Sequence, residues 1–121
     1  MQYYLELDPK ILDACFESSA FPKASEQLEA IAKRLALLNH FELFSFAAQN
    51  EVCAAEHWET EIPWFDAQLG IDWLDAVSTY IRSEPASVPN PERLLSDFSE
   101  CKEVLRLAKT KGSKWHFAMD I

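Results

Sequence analysis

The segment KWHFAMDI, residues 114–121, carries the clearest structural signal in the sequence. Its large apolar side chains occupy every second position, at Trp115, Phe117, Met119 and Ile121. A period of two is typical of a strand with one buried face. The segment QYYLELD, residues 2–8, alternates in the same way. The sequence therefore predicts a strand near each end of the chain.

The first half between these strands predicts two helices and a further strand. Pro9 can open a short helix that continues to about Glu17. Pro22 fits the first turn of a second helix, which we expect to end near Asn39. The core-facing stripe of that helix is Leu28, Ile31, Leu35 and Leu38. Residues 41–48, FELFSFAA, are rich in phenylalanine and predict a mostly buried strand.

The second half predicts a loop and two more helices. Pro63 indicates a loop from Thr60 to Phe65. Residues 72–75, DWLD, have the spacing of an acidic capping box, and Glu84-Pro85 stops the helix that they begin. The last helix begins with the signature NPE at 90–92 and ends at Gly112. The serines of SDFS, residues 96–99, can interrupt it because their hydroxyls compete for backbone hydrogen bonds.

These elements predict an α+β fold with the order βααβααβ. The simplest packing is a small three-stranded sheet covered by about four helices. Because pairs of helices separate the strands, some strand pairings can be parallel, and the strand order stays open. With 121 residues, of which 49% are hydrophobic, residues 1–121 are expected to form a single globular domain.

The composition argues against several classes of partner. The net charge is −9 and the pI is about 4.7, so nucleic acids and anionic membranes would repel the chain. No apolar run approaches the roughly 20 residues of a membrane span, and the N-terminus lacks the pattern of a signal peptide. The three widely spaced cysteines suit free thiols in a reducing compartment. A cytoplasmic protein is expected.

The negative charge is concentrated in the middle of the sequence. No lysine or arginine occurs between Leu35 and Ile81, and this span accounts for −8 of the total −9. Its acids are Glu42, Glu51, Glu56, Glu59, Glu61, Asp66, Asp72 and Asp75. One reading is a solvated face that keeps the protein in solution. Interspersed charges would serve that purpose too, so a block of one sign favours the steering of a basic partner.

The segment FAAQNEVCAAEHWETEIPWFD, residues 46–66, combines five carboxylates with two tryptophans. Tryptophan is a favoured anchor of protein–protein binding energy. Trp73 and Trp115 belong to periodic elements and are expected in the core, whereas we expect at least one tryptophan of the acidic segment at the surface. The predicted partner-binding residues are Glu51, Glu56, Trp58, Glu59, Glu61, Trp64 and Asp66.

Signals of enzyme chemistry are weak. On a helix, Cys53 and His57 would share a face and could supply two zinc ligands or a thiolate–imidazole pair. No second paired motif completes a zinc site, and the chain has neither a glycine-rich phosphate loop nor a G-x-S-x-G turn. No catalytic residue, metal ligand or cofactor is therefore predicted. A small metal-dependent or cysteine hydrolase is the less favoured alternative.

The segment IPWFDAQLGIDWLDAVSTYIRSEP, residues 62–85, resembles a pattern of small bacterial immunity proteins from polymorphic and contact-dependent toxin systems. In that pattern a W-F/Y-D/E-x-x-x-G segment leads into an amphipathic helix, and an aromatic strand such as KWHFAMDI follows near the end of the chain. The matching residues are Trp64, Phe65, Asp66 and Gly70. The resemblance implies a cytoplasmic protein that binds and neutralises a cognate toxin domain, commonly a nuclease.

A second function uses the same acidic surface. The chain would then be an acidic regulatory or assembly subunit, or a phage-type inhibitor, that binds another basic protein. Both functions imply a protein partner with a basic surface, and neither involves direct contact with nucleic acid or a membrane.

Overall fold

The computed structural model of the protein describes residues 1–12, 14–43 and 63–120. This part of the chain forms a three-stranded antiparallel sheet with the strand order β2-β1-β3. The strands are β1 (Gln2–Asp8), β2 (Glu17–Ser18) and β3 (Lys114–Asp120). The described residues also form four α-helices, which are α1 (Ala20–Lys23), α2 (Ser25–Arg34), α3 (Ala67–Ser83) and α4 (Pro91–Lys111). The predicted α+β class is confirmed.

Strands β1 and β3 pair along their whole length, from Gln2 opposite Asp120 to Asp8 opposite Lys114. Because side chains alternate between the two faces of a strand, the apolar residues of both strands point to the same side. The buried residues of this side are Tyr3, Leu7, Trp115 and Phe117. The period of two at both ends of the sequence is therefore explained by one shared, helix-covered face.

The core lies between this sheet face and the helices. Helices α3 and α4 pack against each other, and α1 contacts both β1 and α4. Phe21 of α1 is the centre of an aromatic cluster, with ring centroids 4.8 Å from Phe98 and 5.7 Å from both Phe16 and Phe117. Edge-to-face rings at these separations add specific attraction to the burial of apolar area.

A buried polar junction joins β2, α1 and α4. The Ser18 hydroxyl accepts hydrogen bonds from the backbone N–H groups of Ala20 and Phe21, both at 3.1 Å. It donates to the buried carboxylate of Asp97 at 2.6 Å, and the Arg93 guanidinium lies 3.2 Å from the same carboxylate. These bonds satisfy a charge that would be costly to bury without partners.

The helix predicted from Pro9 to about Glu17 is wrong. None of the described residues in this range is helical, and Glu17 belongs to β2. The end of the segment instead pairs with β1, where Glu17 is opposite Tyr4 and the Leu5 N–H donates to the Phe16 carbonyl at 3.2 Å. Pairing with β1 thus overrides the local pattern, and the described sheet obtains its third strand from here.

The second predicted helix is shorter and divided. It forms as α1 and α2, separated at Ala24, and it ends at Arg34 instead of near Asn39. Of the predicted strand 41–48, residues 41–43 belong to a 3₁₀ helix, His40–Leu43. Residues 44–48 lie outside the described part of the chain.

Helix α3 begins five residues before the predicted capping box. Its first residue is Ala67 and the N-cap position is Asp66, so residues 72–75 lie inside the helix. The helix ends at Ser83, and Glu84 follows at the C-cap position, as predicted. The earlier start has a physical cause, because β3 holds the chain just before Ala67 through the contacts described below.

Helix α4 begins and ends as predicted. It runs from Pro91 to Lys111 without interruption by the serines at 96–99, and Gly112 closes it in a left-handed conformation with φ of 71°. The Asn90 side chain makes no capping hydrogen bond, since this residue is itself left-handed with φ of 49°. None of the helices in the described ranges has both the length and the apolar character of a membrane span.

Candidate interaction surface

The predicted partner-binding residues divide into two groups. Trp64 and Asp66 belong to the described part of the chain and lie beside β3. The other five, Glu51, Glu56, Trp58, Glu59 and Glu61, lie outside the described residues, as do Cys53 and His57. The structure therefore gives the geometry of the C-terminal end of the acidic segment.

Trp64 is 37% exposed and covers a buried histidine of β3. Its ring centroid lies 4.0 Å from that of His116, with 31° between the ring planes. The His116 ring is held on both sides, with Nδ1 2.9 Å from the Pro63 carbonyl oxygen and Nε2 2.9 Å from Glu6 Oε1. One face of Trp64 thus packs on the sheet, while part of its side chain is accessible.

Phe65 and Asp66 attach the chain to the same strand. Phe65 forms a two-bond antiparallel bridge with Trp115, in which the N–H···O distances are 2.8 Å and 3.0 Å. The Trp115 indole N–H donates to the Asp66 carbonyl at 2.9 Å, and Lys114 Nζ donates to the Asp66 carboxylate at 2.6 Å. Asp66 is exposed, so this ion pair contributes little to stability.

Gly70 completes the packing around Trp115. A Cβ atom at this position would lie 2.5 Å from Trp115 Cζ2 and 2.8 Å from Leu105 Cδ1. The residues of the W-F-D-x-x-x-G pattern in this chain therefore share one task, which is to dock the start of α3 on residues 115–116. Sequence reasoning missed this role because Trp115 lies 45 or more positions away along the chain.

Four acids of the charged span are described, and two of them are matched by lysines from the C-terminal part of the chain. Asp66 pairs with Lys114, and Asp75 pairs with Lys102, both at 2.6 Å. Asp72 accepts a hydrogen bond from Gln68 Nε2 at 2.7 Å, and Glu42 accepts one from a backbone N–H at 2.9 Å. Among the described residues no lysine or arginine pairs with Asp72 or Glu42.

An apolar groove borders Asp72. It has a volume of about 430 Å³ and is lined by Ala36, Leu37, Leu38, Leu69, Asp72 and Trp73. Leu38 and Leu69 are 42% and 36% exposed, so the assignment of Leu38 to the core stripe of the second helix is wrong. The buried indole of Trp73 donates to the Leu38 carbonyl at 2.8 Å and fixes this wall. Leu69 and Asp72 lie one helical turn apart in α3, a spacing that places them on the same side of the helix.

Two buried titratable groups lie away from this surface. Burial lowers the pKa of His40 from 6.5 to about 4, and its Nε2 atom lies 3.1 Å from the Ser25 hydroxyl. Burial, together with the negative charge of Asp97, raises the pKa of the Cys101 thiol far above its ordinary value, which makes this thiol a poor nucleophile. Within the described ranges, no three His, Cys, Asp or Glu side chains are grouped as a metal site.

Comparisons of the chain with known protein families, with curated proteins and with solved structures found no match.

Proposed function

We propose that this chain is an acidic, cytoplasmic, immunity-type protein that binds a toxin domain with a basic surface, of nuclease type, and neutralises it. The observation that carries the proposal is the span from Leu35 to Ile81, which holds eight acids and no lysine or arginine. Nuclease domains present cationic clefts to phosphate, and an acidic surface is complementary to such a cleft.

The described residues support a binding role through the groove beside Asp72. Exposed Leu38 and Leu69 offer apolar area, and the Asp72 carboxylate at the edge has no cationic partner in the described part of the chain. An apolar centre with a charged rim is the usual anatomy of an interface. An apolar side chain of the partner, flanked by lysine or arginine, would match this chemistry.

Capture of the partner is the first test. The intact chain serves as bait in a lysate of its own host, and the bound polypeptide is identified by mass spectrometry. We expect a basic protein whose expression stops growth and whose toxicity is abolished by co-expression of this chain. Capture of an acidic protein, or of a basic one whose activity is not inhibited, would contradict the proposal.

The groove is tested with matched leucine variants, whose affinities for the captured toxin are compared. Leu69 and Leu107 have similar exposure, 36% and 38%, and lie on α3 and α4 respectively. Leu69→Ser should weaken binding of the captured toxin by about tenfold, which corresponds to about 1.4 kcal/mol. Leu107→Ser should bind like the wild type. Equal affinity of the two variants would remove the groove from the interface.

A further inference from the structure

The buried ring of His116 meets a hydrogen-bond acceptor on each side. Nδ1 lies 2.9 Å from the carbonyl oxygen of Pro63, and Nε2 lies 2.9 Å from the carboxylate of Glu6. A carbonyl oxygen accepts only, and so does an ionised carboxylate. A neutral imidazole has a single N–H, so it can donate to one of them and turns a lone pair toward the other. With Glu6 ionised, both contacts are hydrogen bonds only when both ring nitrogens carry a proton.

We propose that the proton on His116 acts as a latch that fastens the chain at Pro63 and Trp64 to the sheet. The protonated ring joins Glu6 of β1 to the Pro63 carbonyl and provides the surface on which the Trp64 indole stacks at 4.0 Å. Attraction between a cation and an aromatic face strengthens this stack in the protonated state. Loss of the proton leaves one acceptor facing a lone pair.

The charged residues beside His116 in the described part of the chain belong to β1, to β3 and to residues 63–66. In the β1–β3 register Glu6 is opposite His116, Asp8 is opposite Lys114, and Tyr4 is opposite Ala118. From residues 63–66 the charged group is Asp66, which is bonded to Lys114 at 2.6 Å. In the described part of the chain, the carboxylate in direct contact with the ring is therefore Glu6. The Lys114 charge, two residues from His116, is compensated by Asp66.

The weaker side of the latch is Glu6. The side chain of Glu6 is 44% exposed, whereas that of His116 is 2% exposed. When the ring loses a proton, the Glu6 carboxylate can turn to water, while the Pro63 carbonyl keeps the remaining N–H. The indole then loses its cationic partner, and the junction at 63–64 loses the tie to β1. The latch needs no partner protein. Only its consequence for partner binding through Trp64 rests on the proposed function.

The variant Glu6→Gln tests the latch. A glutamine amide can donate to a neutral ring or accept from a protonated one, so it satisfies both forms. The readouts are the ring ¹⁵N resonances of His116, which distinguish the doubly protonated ring from both neutral tautomers, and the ¹⁹F resonance of 5-fluorotryptophan at Trp64. Both are followed from pH 5 to pH 9 in the free protein, with Trp64→Phe for assignment.

In the wild type we expect the Trp64 resonance to shift at the same pH at which His116 loses its second ring proton. In Glu6→Gln both changes should move together to a different pH, because the amide satisfies the neutral ring as well as the protonated one. The matched control is Glu29→Gln, which removes the same charge from an exposed position on α2 and should titrate like the wild type. The expected pattern is thus a shift in one variant and none in the other.

Two results would overturn the latch. One is a His116 titration in Glu6→Gln that coincides with that of the wild type. The other is a Trp64 resonance that stays constant while His116 changes its protonation. The titration uses the protein without a partner. A negative result there therefore does not affect the interpretation of the capture experiment, and a failed capture does not affect the interpretation of the titration.

Discussion

Trp115 is the residue on which the docking of α3 depends. Its backbone pairs with Phe65, its indole N–H donates to the Asp66 carbonyl, and its ring lies where a side chain at Gly70 would be. The sequence predicted that Trp115 is buried, because it lies in a strand of period two. The identity of its neighbours could not be predicted, because contacts across more than 40 positions depend on the tertiary packing.

A methyl group at residue 70 tests this packing. In Gly70→Ala the new Cβ would lie within 3 Å of both Trp115 and Leu105, so a buried ring must shift. We expect the free energy of unfolding in urea to fall by about 1–2 kcal/mol, since overpacking outweighs the better helix propensity of alanine.

Gly112→Ala is the control for Gly70→Ala. Nothing lies within 4 Å of a Cβ at residue 112, and its cost comes from the left-handed backbone alone. Both variants should lose stability, but only Gly70→Ala should change the near-ultraviolet circular dichroism of the tryptophans. An unchanged spectrum in Gly70→Ala would show that the packing around Trp115 accepts the methyl group.

His40 gives the folded protein a pH dependence of known sign. Its pKa is lowered by burial to about 4, so between pH 6.5 and pH 4 the unfolded chain binds a proton that the folded chain does not bind. Stability present above pH 6.5 is therefore lost as the pH falls through this window. Between pH 7 and pH 5 this residue should contribute a loss of about 2 kcal/mol.

Urea unfolding of the wild type and of His40→Gln at pH 5, 6 and 7 measures this contribution. The glutamine side chain does not titrate, so the variant should lose less stability than the wild type over the same interval. If the free energy of unfolding depends on pH equally in the two proteins, His40 binds its proton as readily in the folded state as in the unfolded state.

Among the helices and strands, the sequence predicts correctly those features that have a purely local cause. Gly112 ends α4 because glycine tolerates a positive φ, and the alternation of β1 follows from the geometry of one strand. Residues 16–17 and the start of α3 depart from their local patterns, because pairing with β1 and β3 decides their conformation. Glu6 and His116 are separated by 110 positions along the chain, so their contact was equally unpredictable.

The end of α2 contains a residue that is poorly suited to its conformation. Ala36 has φ of 56°, and the hydrogen bond from the Leu37 N–H to the Ala32 carbonyl, at 2.8 Å, is typical of a helix terminus that glycine usually occupies. Ala36→Gly should raise the free energy of unfolding by about 0.5–1 kcal/mol, because it removes a steric cost of the left-handed region.

Ala30→Gly is the matched control, since Ala30 is an exposed residue inside the same helix. There glycine should lower stability by about 1 kcal/mol. Chemical denaturation of the two variants should thus give changes of opposite sign. A loss of stability in both would show that Ala36 gains more from its methyl group than its backbone costs.

At the scale of the whole molecule, the acidic span is attached to a nearly neutral scaffold. Residues 1–34 and 82–121 carry twelve acids and eleven bases, and two of these bases, Lys102 and Lys114, neutralise acids of α3 and its N-cap. The described acids are therefore partly compensated. The proposed steering field depends mainly on the glutamates between residues 51 and 61.

Charge reversal tests this field by association kinetics with the captured toxin. A variant with three lysines in the acidic segment, at Glu56, Glu59 and Glu61, should associate about 10 to 100 times more slowly at low salt, and its rate should depend less on ionic strength. The control carries the same charge change on exposed scaffold positions, at Glu29, Glu84 and Glu100. Equal rates for the two triple variants would remove the case for steering by this segment.

The pairing of β1 with β3 has a consequence for folding during translation. Leu7 meets Trp115 only after more than a hundred further residues have been translated. At roughly 5–20 residues per second, the first strand waits on the order of 5–20 s for the neighbour that completes the sheet. During that interval the edge of β1 that pairs with β3 lacks this hydrogen-bonding neighbour on the ribosome. Nascent chains stalled before residue 114 should therefore be bound by chaperones, whereas chains released after residue 120 should escape them.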